Sequence, residues 1–236
     1  TNDSRLSSYD SHPDAVVVRA LMGTESGPIR PVETENLAGP WRSFRNFGLY
    51  VRRWDHGRVL SFRCGPNGQN DNGGHAHNDQ LSICYAIEGM LFLIDPGTCL
   101  YTPIPLVRNE FRATCHHNTV FIPGREQNDF SPDSLFTLKN QARPELLNLN
   151  DNYIVGRHYG FGSPHERRVN FDRSITVTDH IENQPEARLA LHFHPQVILK
   201  DINRSSCIVE RNGLLLKITV LTEEERELGV ALVDIG

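Results

Sequence analysis

A large antiparallel β-sandwich is the fold this sequence predicts, and three observations carry that prediction. Short apolar stretches recur along the chain with Gly, Asn, Asp or Pro between them, at the spacing of roughly 8–12 residues typical of strands joined by tight turns. Side-chain character alternates within several stretches, as in Ser174–Thr178 and Leu189–His194, which marks sheets with one buried face. No βαβ alternation, internal repeat or low-complexity run is present. At 236 residues the chain is long enough to bury a sizeable core.

The chain before residue 41 differs in character from the remainder. Asp14–Met22 could form a short helix after Ser11-His12-Pro13, and Gly27–Pro40 is Pro/Gly-rich and linker-like. Residues 1–40 are therefore taken as the tail of a preceding domain plus a linker, and 41–236 as the sandwich. The sequence begins at Thr1 rather than Met, which suggests a processed product or an excised domain.

From Trp41 on, strands are expected in succession. Gly48–Trp54 and Val59–Arg63 flank the turn Asp55-His56-Gly57, and Leu81–Ile87 and Met90–Ile94 flank Glu88-Gly89. Tyr153–His158, Glu166–Phe171, Ser174–Thr178, Ala187–Phe193 and Cys207–Glu210 come next. Asn212-Gly213 then joins Leu214–Val220 to the preceding strand, the strongest hairpin signal in the chain. About a dozen strands result.

Charge and composition exclude several functions. A net charge of -5 and a pI near 6.1 give no global field for nucleic acid or an anionic membrane, so an anionic partner needs a local arginine cluster. Five cysteines without a C-x-x-C spacing disfavour a dense disulfide framework and a thiolate zinc site, leaving the redox compartment undecided. No apolar run is long enough for a membrane span.

The chemistry-bearing stretch is Gly73-Gly74-His75-Ala76-His77-Asn78-Asp79. If extended, it places His75, His77 and Asp79 on one face. Asp95 ends an apolar strand in Leu93-Ile94-Asp95-Pro96-Gly97, and His116-His117-Asn118-Thr119 precedes Val120-Phe121-Ile122. Imidazole nitrogen and carboxylate oxygen suit zinc, so His77, Asp95 and His117 form a chemically sound ligand set. Histidines and aspartates at strand ends also often only hydrogen-bond, which is the competing reading. A tight hairpin at Glu88-Gly89 would set Asp95 opposite Ser82, so the set requires the glycine-containing loop to bend back over the sheet.

Arg108 and Arg112 lie between Tyr101 and His117. Guanidinium forks suit carboxylates and sulfates, and Tyr101 offers a phenol for proton transfer or a platform for a sugar ring. His192-Phe193-His194 reads as a polar strand face, and His158, His165 and His180 as surface or hydrogen-bonded residues. There is no G-x-S-x-G elbow and no phosphate-cradling loop. A cupin reading of His75-Ala76-His77 wants a glutamate where this chain has Leu81 and Ser82.

Gly74–Asp79, Ile94–Thr98, Phe111–Thr114 and His117–Val120 occur in the order seen in the heparinase II/III-like family, and the sequence is identified as resembling it. Gly48–Arg53 and Phe62–Gly65 also resemble that family, so the matching motifs cover about Trp41 to Gln127. The resemblance implies the C-terminal sandwich of a polysaccharide lyase whose α/α toroid is missing from this chain; a periplasmic or secreted setting is expected, with a cytoplasmic one left open. It implies catalysis by His75 with Tyr101 as the phenol, and a structural zinc held by His77, Asp95 and His117. The expected partners are an acidic polysaccharide and the toroid domain, with no nucleic acid or membrane span; a homo-oligomer is compatible. Cys99-Leu100 stands where Tyr-Ser is common in the family and His116 where alanine is common, so Tyr101 and the choice between His116 and His117 are where the match departs.

The implied chemistry is β-elimination at a uronic acid, with His75 as base or carboxylate stabiliser and Arg108 or Arg112 holding the anionic chain. The remaining acid/base partner would lie on the toroid, so this chain alone is expected to have little or no lyase activity. The alternatives are a zinc-stabilised carbohydrate-binding or assembly module without chemistry, and an enzyme in which the metal itself is catalytic.

Overall fold

Inward-facing residues alternate with outward ones along most strands, and the pleat sorts them into two sheets that share one core. The computed structural model describes residues 41–54, 57–130, 134–172, 174–203, 205–223 and 227–234. The helix expected at Asp14–Met22 and the linker up to Pro40 lie outside these residues.

The smaller sheet runs β1 (Trp41–Phe44), β2 (Leu49–Trp54), β3 (Arg58–Arg63), β4 (Ile83–Ile87) and β5 (Met90–Leu93) in simple meander order. The larger sheet contains β7 (Glu145–Leu149), β8 (Tyr153–His158), β9 (His165–Phe171), β10 (Ile175–Ile181), β12 (Ile198–Ile202), β13 (Ser206–Arg211), β14 (Leu214–Glu223) and β15 (Glu227–Asp234). Its order is β12-β13-β14-β15-β10-β9-β8-β7, so β15 lies between β14 and β10. All the strand pairs in the two sheets are antiparallel. Beside them, β6 (Val120–Phe121) pairs with β11 (Arg188–Leu189).

The core is where the sheets face each other. Leu60, Phe62, Tyr85, Ile87 and Phe92 from the smaller sheet pack with Ile154, Val169, Val177, Leu216 and Ile218 from the larger one. Gly156 on β8 permits close approach, because a Cβ there would lie 2.7 Å from Leu81 and 2.9 Å from the Cys64 sulfur. The five cysteines are all unpaired.

Two strand expectations change. The Glu88-Gly89 hairpin pairs Ile87 with Met90, but a bulge then shifts the register so that Tyr85 faces Leu93. Ala187–Phe193 is a strand only over Arg188–Leu189. Beyond Leu189, the Ala190 N–H goes to the Thr119 carbonyl, the His192 N–H to Asn118 Oδ1, and the His194 N–H to the Phe92 carbonyl. The chain thus runs along the edge of β5 instead of extending β11.

Between the layers, β9 and β10 place a polar cluster at positions where apolar residues would be expected. Arg167 lies directly opposite Asp179 in the register, and His165 opposite Ile181. Arg167 donates from Nε and an Nη to the two Asp179 oxygens at 2.7 and 2.8 Å. His158 and His165 are fully buried and hydrogen-bonded, so of the two expectations, surface or hydrogen-bonded, the second holds for them. The Gly160 N–H donates to His158 Nδ1 (3.1 Å), so His158 Nε2 must donate to His165 Nδ1 (3.0 Å). His165 Nε2 in turn donates to Asp179 (2.7 Å). Each imidazole is neutral in this chain. Burial lowers both pKa values, with repulsion from His165 and Arg167 adding to it at His158 and the Asp179 carboxylate working against it at His165. Despite its own burial, Asp179 is held down at about 2 by Arg167 and His165.

Because the folded pKa of His158 lies below its unfolded value, the unfolded chain takes up a proton first as pH falls below 6.5. Stability therefore declines from that point downward, by up to about 1.4 kcal/mol per pH unit for each such group. His158→Gln removes one of these protons. Urea unfolding between pH 7.5 and 5 should show a shallower decline for that variant than for the native chain, and an identical slope would show that His158 is protonated in the fold.

Candidate functional site

The loop from Pro66 to Ser82 is held without regular strand, and its backbone decides where the histidines go. Gly73 has φ 73° and His75 φ 56°, so the segment turns instead of extending. The His75 N–H donates to the Phe136 carbonyl and the Asn78 N–H to the Arg112 carbonyl. Consequently His75, His77 and Asp79 do not share one face. A left-handed non-glycine residue such as His75 is sparsely populated and costs on the order of 1–3 kcal/mol.

His75 is exposed, with its ring centroid 5.3 Å from Phe136 and 5.9 Å from Tyr101. Tyr101 is itself 55 % exposed and stacks on Phe136. His77 points elsewhere, with its ring 5.3 Å from His117. Asp79 forms an ion pair with Arg63 at 3.4 Å. The sequence thus assembles two separate groups from one seven-residue stretch: an exposed imidazole–phenol pair and a sheltered imidazole pair.

His117 is completely buried and donates from Nδ1 to Asp95 Oδ2 at 2.7 Å. Burial opposes its protonation, but the Asp95 carboxylate more than offsets this and raises its pKa. The carboxyl of Asp95 is held below its ordinary range: burial pushes it up, and the bond from His117 and the Gly97 N–H outweigh that. At His77, burial and the neighbouring His117 lower the pKa to about 4, against the pull of Asp79 and Asp95. His116 stands apart, stacked against His192 at 6.1 Å and beside Phe111, so His117 rather than His116 accompanies His77.

These donors suit zinc in type. His77 is neutral, and the bond to Asp95 fixes the His117 tautomer with Nε2 as the free position. That Nε2 is buried and has no hydrogen-bond partner. Yet both Asp95 oxygens are engaged, by His117 and by the Gly97 N–H (2.8 Å), and among the described residues no group of three His, Cys, Asp or Glu stands ready around one ion. Ligation by Asp95 would require the Asp95–His117 bond to open.

Arg108 and Arg112 lie on the single helix of the site, α1 (Pro105–Arg112). Leu106 faces outward (76 % exposed) and Val107 and Phe111 are only half-buried, while Arg108, Asn109 and Arg112 face in. Arg108 donates to the Leu135 and Leu100 carbonyls and to Thr98 Oγ1, with its guanidinium 4.5 Å from the Phe136 ring centroid. Arg112 donates to the carbonyls of Ala76, Ser134 and Thr137 and to Asn109 Oδ1. Burial, reinforced by Arg108, lowers its pKa to about 10. Both guanidiniums are buried, and these donors fix the loops that carry His75, Ala76 and Phe136; the expectation that the two arginines hold the anionic chain is not tested by this arrangement.

Sequence reasoning missed the buried side chains that support these loops. Asn78 and Asn128 bond through both their side chains and backbone, and Asn78 also donates to Glu126, which accepts two bonds from Thr114. Asn118 Nδ2 bridges the carbonyls of Ile83 and Ile94 where β4 and β5 part. Arg167 reaches the same region, donating from one Nη to the carbonyls of Leu81 and Asn118. The Asn-rich motifs were visible, but their burial was not.

The architecture is that of the sandwich domain of heparinases. A crystal structure of heparinase III aligns with TM-score 0.64 at 13% identity, covering 83% of this chain and 36% of that one. A heparan sulfate lyase mutant from Pedobacter heparinus aligns with TM-score 0.61 at 17% identity, covering 98% and 38%. Another heparinase III gives 0.59 at 15%, covering 93% and 36%. The chain thus spans well under half the length of these solved chains. A comparison with curated proteins gives no match. The sequence profile described as heparinase II/III-like, C-terminal, matches residues 37–232, and the chain belongs to that family. No helix among the described residues is long and apolar enough to cross a membrane.

Arg112→Met tests the positioning role. It leaves the Ala76, Ser134 and Thr137 carbonyls without their donor, which should cost on the order of 2–4 kcal/mol. Urea unfolding should show that loss; stability within about 0.5 kcal/mol of the native chain would remove Arg112 from the loop framework.

Proposed function

We propose that this chain is the β-sandwich portion of a lyase that cleaves a uronic-acid-containing polysaccharide by β-elimination. The observation that supports it best is the exposed pair His75 and Tyr101, 5.9 Å apart on loops held by buried Arg108 and Arg112. In such a reaction a base removes the C5 proton, the electron pair forms the C4–C5 double bond, and O4 departs with the bonding pair and takes up a proton. Imidazole titrates near neutrality and fits either the base or a partner for the uronate carboxylate. Tyr101 would serve the leaving oxygen or bear the sugar ring. Arg108, its guanidinium 5.0 Å from the Tyr101 ring centroid, adds positive potential there. The acid/base partner still missing would come from the α/α toroid domain of the parent protein, so the chain alone would have little or no activity. A polysaccharide substrate fits a periplasmic or secreted setting.

His75→Ala in the full-length protein should lower the release of unsaturated uronate, followed by its ultraviolet absorbance, by at least about 100-fold. Because His75 is exposed, the unfolding midpoint should hardly change. Activity within a few-fold of the native protein would sink the catalytic assignment.

Zinc belongs to the same proposal, with the imidazoles of His77 and His117 as holders and Asp95 as the third once its bond to His117 opens. The unpartnered His117 Nε2 and the neutral His77 support it. When bound, the ion would supply structural cross-linking between three loops; the elimination itself uses none of its chemistry. It also supports the second reading, a zinc-stabilised carbohydrate-binding or assembly module, under which His75→Ala leaves polysaccharide binding unchanged and no unsaturated product appears. Zinc at about 100 times its dissociation constant should raise the melting temperature by roughly 5–10 °C, and His77→Ala should abolish the shift. Metal-free protein of undiminished stability that gains nothing from added zinc would exclude the site.

A further inference from the structure

The turn between β1 and β2 carries a feature that the proposed chemistry does not use. Phe44 and Phe47 are 53 % and 52 % exposed there, although large aromatic rings usually find cover. Together with Ser43, Arg45, Asn46 and Asn70 they line an open cleft of about 750 Å³, within the size range of small-molecule sites. Arg45 is the one cation among these six residues, none of them is acidic, and while its carbonyl accepts from the Gly48 N–H, its guanidinium makes no hydrogen bond or ion pair with the described residues. The cleft therefore combines aromatic faces, neutral hydrogen-bonding side chains and a guanidinium that no carboxylate among the described residues pairs.

The turn is firmly built. Gly48 (φ 69°) packs against Gly65 so closely that a Cβ would lie 2.5 Å from the Gly65 Cα. Arg63 donates to the Gly48 and Pro66 carbonyls, stands 5.6 Å from the Phe47 ring centroid, and forms the ion pair with Asp79. Asn70, which also lines the cleft, belongs to the loop that leads into His75, where the Gly73 N–H donates to the Asn67 carbonyl. One arginine thus ties the cleft to the loop that carries His75 and His77.

We propose that this cleft is an accessory subsite for one acidic sugar residue of the polysaccharide, with Phe44 and Phe47 against the ring and Arg45 on its carboxylate or sulfate. The proposal rests on the polysaccharide reading and extends it to residues outside the His75–Tyr101 pair. Aromatic carbon faces pack on pyranose C–H groups, and an exposed guanidinium selects the anionic residue over a neutral one.

The test titrates the 236-residue chain calorimetrically with a glucuronate-containing octasaccharide and with the same octasaccharide after its carboxyls are reduced to alcohols. The acidic form should bind about 10-fold tighter. Arg45→Gln should erase that preference, and Phe47→Ala should weaken both ligands about fivefold. Native affinity and selectivity in Arg45→Gln and Phe47→Ala overturn the subsite. So does a lowered unfolding midpoint of the full-length Phe47→Ala protein with unchanged sugar affinity, which would mark the cleft as a contact with another domain. A full-length protein that releases unsaturated uronate while Arg45→Gln and Phe47→Ala keep native affinity overturns the subsite alone. One that neither binds nor cleaves overturns the polysaccharide reading with it.

Discussion

Arg167 joins three parts of the chain. Its fork grips Asp179 across the β9–β10 pair, and its remaining Nη holds the carbonyls of Leu81 and Asn118. Leu81 ends the loop that carries His75 and His77, and Asn118 adjoins His117. A charge buried this deeply is stable only when every donor finds an acceptor. The requirement works in both directions: the loops satisfy the guanidinium, and the guanidinium fixes the loops. The neutral chain Gly160–His158–His165 completes the acceptor side at Asp179 without adding a second cation.

The surrounding loops obey the same logic with amides. Asn78, Gln80, Asn118, Gln127 and Asn128 are essentially inaccessible to solvent. Gln80 alone exchanges bonds with both the N–H and the carbonyl of Gly65 and donates from its amide to Asn67 Oδ1. Irregular backbone inside a protein needs partners for its N–H and C=O groups, and these side chains take the place of a neighbouring strand. That is why a site without regular structure can keep His75 in a left-handed conformation. Rigidity at His75 comes from polar saturation behind it, since His75 itself is exposed.

Much of this was legible in the sequence, for identifiable reasons. Asn212-Gly213 specified its hairpin because both residues adopt positive φ, and Tyr153–His158 kept its predicted bounds as β8. The bend of the glycine-containing loop over the sheet was required by spacing, and the His77 ring does come to lie beside His117, which is bonded to Asp95. Helix α1 escaped because its inward face is polar: Arg108 and Arg112 occupy the positions where apolar periodicity would be sought, and Leu106 points away. The same inversion hid Arg167 and Asp179 within otherwise alternating strands. A guanidinium's chemistry can be read from a letter, but its depth cannot, and at Arg108 and Arg112 that depth makes them loop supports.

The position of β15 has a consequence for how the chain is made. Its neighbours β10 and β14 both precede it in the sequence, yet they meet only through it. During vectorial synthesis the larger sheet must therefore wait as two pieces, one ending at β10 and one at β14, each with an open edge. The first piece already contains Arg167, Asp179 and their histidines, so the anchor of the site can form early, while the sheet that houses it closes only after residue 234 has left the ribosome. An edge left open during translation invites pairing with another nascent chain. Secure folding of this sandwich is thus set by how quickly β15 arrives.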